Sequence, residues 1–263
     1  MTTPHSAAPE RSVVDRTLSI LGVFDRANRT LTLSDISRRS GLPVATVHRI
    51  VSKLHSWGAL ERRPEGTYGI GLRLWETGCL ATRPSALVEG AQPHLVELQA
   101  RSSAMAVIAI RDGLESVSLS VVTSSPCDDA RTVDPGCRLP LHATSLGLVL
   151  LAHAEESVRD AICAGPLRAY TPATITNGAA LRRRLDKVRL DGYAIVHDAL
   201  ITGRGGIAAP VRDSRGAVVA AVAAVGAVAV IRPTTLVPHV RAAADAVSRC
   251  VRTAGAGVGE VGV

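Results

Sequence analysis

The sequence predicts an α+β chain of two domains: a small N-terminal helical domain closed by a β-hairpin, and a larger C-terminal domain with a mostly antiparallel sheet flanked by helices. Three observations lead there. The 263 residues are 46% apolar and 20% charged, enough for two domains of ordinary size with a core in each. Apolar spacing is helical up to Leu54 and then gives way to two short β-rich runs around Pro64-Glu65-Gly66. From Ala104 onward, β-rich runs joined by short turns are interspersed with helical patterns, which favours antiparallel pairing.

Val14, Leu18 and Leu21 recur at helical spacing and predict a first helix over residues 12–27, ended by the polar turn Asn28-Arg29-Thr30. Thr32-Leu33-Ser34-Asp35 offers a hydroxyl cap with a carboxylate three residues on, which opens a short helix through Arg39. Ser40-Gly41-Leu42 makes a turn. Pro43 suits the first position of the next helix, where its missing N–H costs nothing, and Val47, Ile50, Val51 and Leu54 form that helix's buried stripe. Residues 60–63 and 67–70 pair as a hairpin wing. A connecting helix starts near Gly71, and Arg83-Pro84-Ser85 breaks the pattern, so the domains are placed at 10–72, with a linker at 73–85, and at 86–254. The second domain reads as a helix at 87–101, strands at 104–111 and 116–122, and a Pro- and Asp-rich loop at 125–136. Helices at 142–152 and 177–190, strands at 193–196, 206–211 and 217–225, and a helix at 235–253 follow. The Gly-rich tail 255–263 reads as disordered.

Composition excludes several classes. Aromatics are only 2% of the chain, so base stacking on single-stranded nucleic acid is not expected. Cys79, Cys127, Cys137, Cys163 and Cys250 form no C-x-x-C pair and no zinc-finger spacing, so neither a metal site nor a disulfide framework is expected, only reduced thiols. No apolar signal-peptide core appears in residues 1–10, and the longest apolar run, 218–231, is too short to span a bilayer, so a cytoplasmic protein without a membrane partner is expected. The net charge is +7, and residues 1–83 hold 12 Lys and Arg against 7 Asp and Glu. A basic excess gathered in the first third suits a polyanionic partner, because phosphates neutralised by cationic side chains release counterions.

Two short helices joined by a Gly-containing turn, the second with a single apolar stripe, form the plan of a helix-turn-helix, whose second helix enters the major groove of duplex DNA. The face opposite the stripe presents Ala45, Thr46, His48, Arg49, Ser52 and Lys53. Arg49 can reach guanine or phosphate, Thr46 can donate to phosphate, and Ala45 permits close approach to a thymine methyl. Ser34 and Val44, at the starts of the two helices, and Arg62 and Arg63 on the wing complete the candidate DNA contacts.

Ser12-Val13-Val14-Asp15-Arg16-Thr17-Leu18, Gly41-Leu42-Pro43-Val44-Ala45-Thr46-Val47-His48-Arg49-Ile50 and Gly66-Thr67-Tyr68-Gly69-Ile70-Gly71 resemble the winged helix of the IclR family of bacterial regulators. Leu139-Pro140-Leu141-His142-Ala143-Thr144-Ser145-Leu146-Gly147, Gly192-Tyr193-Ala194 and Ile207-Ala208-Ala209-Pro210-Val211 follow in that family's order, so the resemblance runs from about Ser12 to Thr253. It implies a GAF/PAS-like domain that binds a small-molecule effector, a homodimer or tetramer, and a pseudo-palindromic operator. No cofactor is expected, since Gly203-Arg204-Gly205-Gly206 lacks both the spacing and the following helix of a dinucleotide loop.

By the same resemblance, the effector lies on the sheet beneath the segment His142, Ala143, Thr144 and Gly147. Here the chain departs from the family. Its acidic run is replaced by Val196-His197-Asp198-Ala199, its usual Cys by Gly206, its strand serines by Ala223 and Val225, and the Lys after Gly147 by Leu148. A pocket stripped of these groups cannot offset the desolvation of a small carboxylate, since each unpaired polar group costs roughly 1 to 3 kcal/mol. A larger, more apolar effector is therefore expected, with His197 and Asp198 as the remaining polar candidates; a filled, vestigial pocket and a ligand-regulated protein-binding module are the alternatives. His142, Ser145 and Asp198, or Cys137 and His142, could be assembled into a catalytic set, but Ser145 stands in no G-x-S-x-G elbow, and no enzyme is expected.

Overall fold

The computed structural model describes residues 12–25, 27–124 and 133–256, and the chain divides into two units between Thr82 and Arg83. Most of the loop at 125–136 and of the tail at 255–263 lies outside the described residues, and with it the disorder expected of that tail.

The first unit contains α1 (Val13–Leu21), β1 (Thr30–Leu31), α2 (Leu33–Ser40), α3 (Val44–Trp57), β2 (Leu60–Arg62), β3 (Tyr68–Ile70) and α4 (Leu72–Cys79). Ile20, Ile36, Val47, Ile50, Val51 and Leu60 make its core. α1 ends at Leu21, earlier than its apolar spacing suggests, because the Gly22 N–H closes the last turn on Leu18 and Ile20 and the chain then turns Val23 inward. Thr30, expected in a turn, instead begins β1, which pairs with β3 through Thr30↔Gly69 and Leu31↔Tyr68. A two-residue strand is too short to show a period.

The second unit contains α5 (Thr82–Ser102), β4 (Met105–Asp112), β5 (Glu115–Val122), β6 (Arg138–Pro140), α6 (Ser145–Ala152), α7 (Glu156–Ala164), α8 (Gly178–Asp191), β7 (Ala194–His197), β8 (Arg204–Arg212), β9 (Val218–Ala227) and α9 (Pro233–Ala256). α5 runs through residues 83–85, where a break is expected from the sequence; a proline in the first turn removes only a donor that has no helical partner. The sheet order is β6-β5-β4-β9-β8-β7, and every neighbouring pair is antiparallel.

Both faces of this sheet are buried, and its strands alternate between two cores. Ala220, Val222 and Ala224 of β9 face the layer of α5 and α9, while Ala221 and Ala223 face α6 and α8. α6 is buried at every residue from Ser145 to Ala152, as expected of a helix that is apolar all round.

The far end of α6 is pinned by a histidine. His153 Nδ1 lies 2.9 Å from the Val149 carbonyl and Nε2 lies 3.2 Å from Arg212 Nη2, which fits a neutral ring that donates at Nδ1 and accepts at Nε2. Arg212 also donates through its backbone N–H to Ser248 Oγ of α9, so α6, β8 and α9 are tied together here. Burial, aided by the Arg212 and Arg189 charges, holds the His153 pKa below its ordinary 6.5, against the opposing effect of the Val149 carbonyl. The unfolded chain therefore takes up this proton more readily, and stability falls as pH drops through the ordinary histidine range. His153→Gln is expected to flatten that pH dependence, measured by urea unfolding between about pH 7.5 and 5.5.

Candidate functional site

The first candidate surface is built on α2, α3 and the hairpin. Thr32 caps α2: its hydroxyl accepts from the Asp35 N–H at 3.1 Å, and the Asp35 carboxylate accepts from the Thr32 hydroxyl at 2.7 Å. That hydroxyl first, and then the Thr32 N–H and the Arg38 and Arg39 charges, hold the Asp35 carboxyl below the usual carboxylate range. Gly41 closes α2 with φ of 69°, a left-handed turn that suits glycine and sets the angle into α3. α3 then buries Val47, Ile50 and Val51 and leaves Val44, Ala45, His48, Arg49, Ser52 and Lys53 exposed, with Thr46 half-buried. Ser34, Arg62 and Arg63 are exposed as well. The side chains of Arg49, Lys53, Arg62 and Arg63 make no hydrogen bond or ion pair among the described residues, whereas Arg38 is held by Asp35 and Arg39 by Asn28. Four cations on one small unit thus keep their donors for something outside the chain.

The second is a cavity of about 50 Å³ between the start of α6 and the sheet. Val133, Leu139 and Leu146 line it on one side; Val196, Val225 and the loop residues Ala199, Leu200 and Ile201 line it on the other. Thr144, Ser145 and Arg204 are the polar side chains in its wall. The Thr144 hydroxyl is already used, accepting from the Gly147 N–H and donating to the Pro140 carbonyl. Ser145 is only 4% exposed, and its hydroxyl has no hydrogen-bond partner among the described residues. It faces Gly206, where an added Cβ would come within 2.7 Å of Ser145 Oγ, so the missing side chain at 206 is what leaves room beside that hydroxyl.

Of the nine residues proposed from sequence for this pocket, Ala143, Thr144, Gly206 and Val225 are in the wall. The other five are not. Ala223 is buried beneath it in the sheet, and Gly147 is packed on Leu141. His142 Nε2 pairs with the Arg168 carbonyl at 3.0 Å, and the ring lies against Tyr170. His197, adjacent to the wall residue Val196, points to the opposite face of β7 because side chains alternate along a strand. Asp198 adopts φ of 57°, and its carboxylate accepts from the Gly203 N–H at 2.6 Å, so it shapes the loop and does not line the cavity. Thr171 and Thr174 hold that loop by donating to the Asp198 and Ala199 carbonyls at 2.5 and 2.6 Å. Arg204 was legible in principle, since it lies two residues before Gly206 on the same face of β8.

The catalytic sets considered from sequence are not assembled: the His142 ring and the Asp198 carboxylate are occupied as described. Among the described residues, no cluster of three His, Cys, Asp or Glu could hold a metal ion, and no helix is long and apolar enough to cross a membrane.

Comparison with known proteins follows the same division of the chain. Residues 13–64 match the IclR helix-turn-helix domain, and residues 79–249 match the C-terminal domain of bacterial transcriptional regulators of the IclR type. The chain is 32% identical over 210 residues to the HTH-type transcriptional regulator XynR of Escherichia coli, covering 79% of this chain and 83% of that protein. It is 31% identical over 237 residues to the transcriptional repressor AllR of Klebsiella pneumoniae, covering 88% and 86%. Among solved structures, an IclR homologue from Microbacterium hydrocarbonoxydans in complex with 4-hydroxybenzoate superposes with a TM-score of 0.86 at 33% identity, covering 92% of this chain and all of that one.

Gly147 gives a direct test of how α6 is seated. A Cβ there would come within 2.5 Å of the Leu141 backbone. Gly147→Ala is expected to destabilise the protein by about 1 to 3 kcal/mol in urea unfolding; an unchanged midpoint would mean that α6 is not held this close.

Proposed function

The chain belongs to the IclR family of bacterial transcriptional regulators, with a helix-turn-helix DNA-binding domain and an effector-binding C-terminal domain, and we propose how it uses them. α3 reads base edges in the major groove of a pseudo-palindromic operator, chiefly through Arg49 with Ala45, Thr46 and His48. Ser34, Val44, Lys53, Arg62 and Arg63 position it on the backbone or at the groove edge. A small molecule held between α6 and β8 controls that binding. The observation that carries the reading is the division of α3, apolar and buried on one side and, on the other, lined with cations whose donors are unspent.

The cavity wall, apolar but for Thr144, Ser145 and Arg204, favours an effector with an apolar body, larger than a small carboxylate, with polar groups directed to Ser145 and Arg204. The Microbacterium homologue was solved with 4-hydroxybenzoate, an aromatic ring with a carboxylate at one end and a hydroxyl at the other; the ring suits the apolar part of this wall, and Arg204 is the cation in it that suits a carboxylate. The protein acts as a homodimer or tetramer, in keeping with a two-fold operator. Val13, Val14 and Leu18 of α1 and Leu72 and Trp75 of α4, each more than half exposed, supply apolar surface for a second copy. Its place is the cytoplasm, with the DNA, and we assign it no catalytic role.

Fluorescence anisotropy on DNA from the regulator's own upstream region, against scrambled competitor at two salt concentrations, tests the first half. Arg49→Ala is expected to cost roughly 1 to 3 kcal/mol and relax base preference, and Arg63→Ala to weaken binding alike across sequences. Full affinity in both would place the reading face elsewhere. A thermal-shift screen tests the second half: aromatic or other apolar metabolites are expected to stabilise the protein, and Gly206→Ala, which crowds Ser145, is expected to lower that response. A response confined to small acids without an aromatic ring or apolar chain would refute the apolar class.

A further inference from the structure

On the sheet face opposite the α6 cavity, α5 and α9 border a groove of about 330 Å³. At one end the helices come together, where Cys250 Sγ lies 3.7 Å from His94 Nε2. Farther along, α9 presents Ala242, Ala243 and Ala246, side chains too short to fill the space beside Leu98. The rim is basic: His94 and Arg101 come from α5, and His239 and Arg249 from α9. Glu97 is the only acid in the lining, and Arg101 engages it at 2.9 Å. Among the described residues, the side chains of Arg249 and His239 make no hydrogen bond or ion pair.

We propose that this groove binds a small molecule carrying several anionic oxygens, phosphate or carboxylate. Guanidinium presents a planar fork that matches both groups, and imidazoles add single donors. His94 and Arg101 lie about 10 Å apart along α5 at roughly 1.5 Å per residue, and His239 and Arg249 lie about 15 Å apart along α9. Donors spread over that length fit an extended polyanion better than a lone phosphate. The groove shares no residue with the α6 cavity or with α3, so the proposal stands or falls apart from the operator and effector readings.

The test is calorimetric titration of the full chain with pyrophosphate and with citrate at constant ionic strength, the two probes separating phosphate from carboxylate chemistry. Saturable binding of at least one is expected, weakened by about tenfold or more in the double variant Arg249→Gln, His239→Gln and left unchanged in Arg49→Ala, Arg63→Ala. Arg249→Lys, which keeps the charge but loses the fork, should fall between, and gives the same reading if the double variant folds poorly. Absence of saturable binding by either probe, or binding that survives these groove changes, overturns the proposal. Loss in the Arg49 and Arg63 variant alone would put the anion on the DNA-binding face and overturn it as well.

Discussion

The second unit depends on the complete burial of α6. A helix with no solvent face can exist only where the sheet, α8 and the chain around Leu141 all close on it, and interiors close at the density of organic crystals. Small residues make that approach possible. Gly147 lets α6 lie on the Leu141 backbone, and Ala109, Ala208, Ala221 and Ala223 give the sheet a low surface beneath it. The same device produces the cavity: where Gly206 and Ala199 face the first turn of α6, there is too little side chain to fill the space, and Ser145 is left with an unpaired hydroxyl. Packing and cavity are two results of one choice of residue sizes.

The first unit follows the opposite strategy, with little buried volume and closely specified helix ends. The reciprocal Thr32–Asp35 cap and the left-handed Gly41 fix both ends of α2, and the buried side chains of α3 then fix its rotation. Once Val47, Ile50 and Val51 are inside, Arg49 and Lys53 can only be outside. The exposed cations are placed by default, by what the core requires.

Much of this was legible before any coordinates. The cap, the turn, the stripe of α3 and the hairpin wing are local patterns, each contained in fewer than about four turns of chain, and they appear where the spacing put them. Elements without a local signal were missed. β1 and β6 are too short to show a period, and α7 carries only a partial apolar face, with Val158 and Ile162 packed against the core. The pocket shows the same limit in its details. Gly206 and Val225 could be named from motif position, but His197 could not be separated from Val196 without the register Val196↔Gly206, which decides the face each one takes.

What the sequence by itself determined was therefore the family, the two-domain order, the basic first third and the orientation of α3, because each rests on residue types or on spacing within one element. Only the tertiary structure decided that Ser145 meets Gly206 across the cavity, that Asp198 is spent on its own loop, and that His94, Arg101, His239 and Arg249 share one groove. Those pairings join residues far apart in the chain. Sheet order and strand register bring them together, and these are set by the closing of the whole core rather than by any segment read alone.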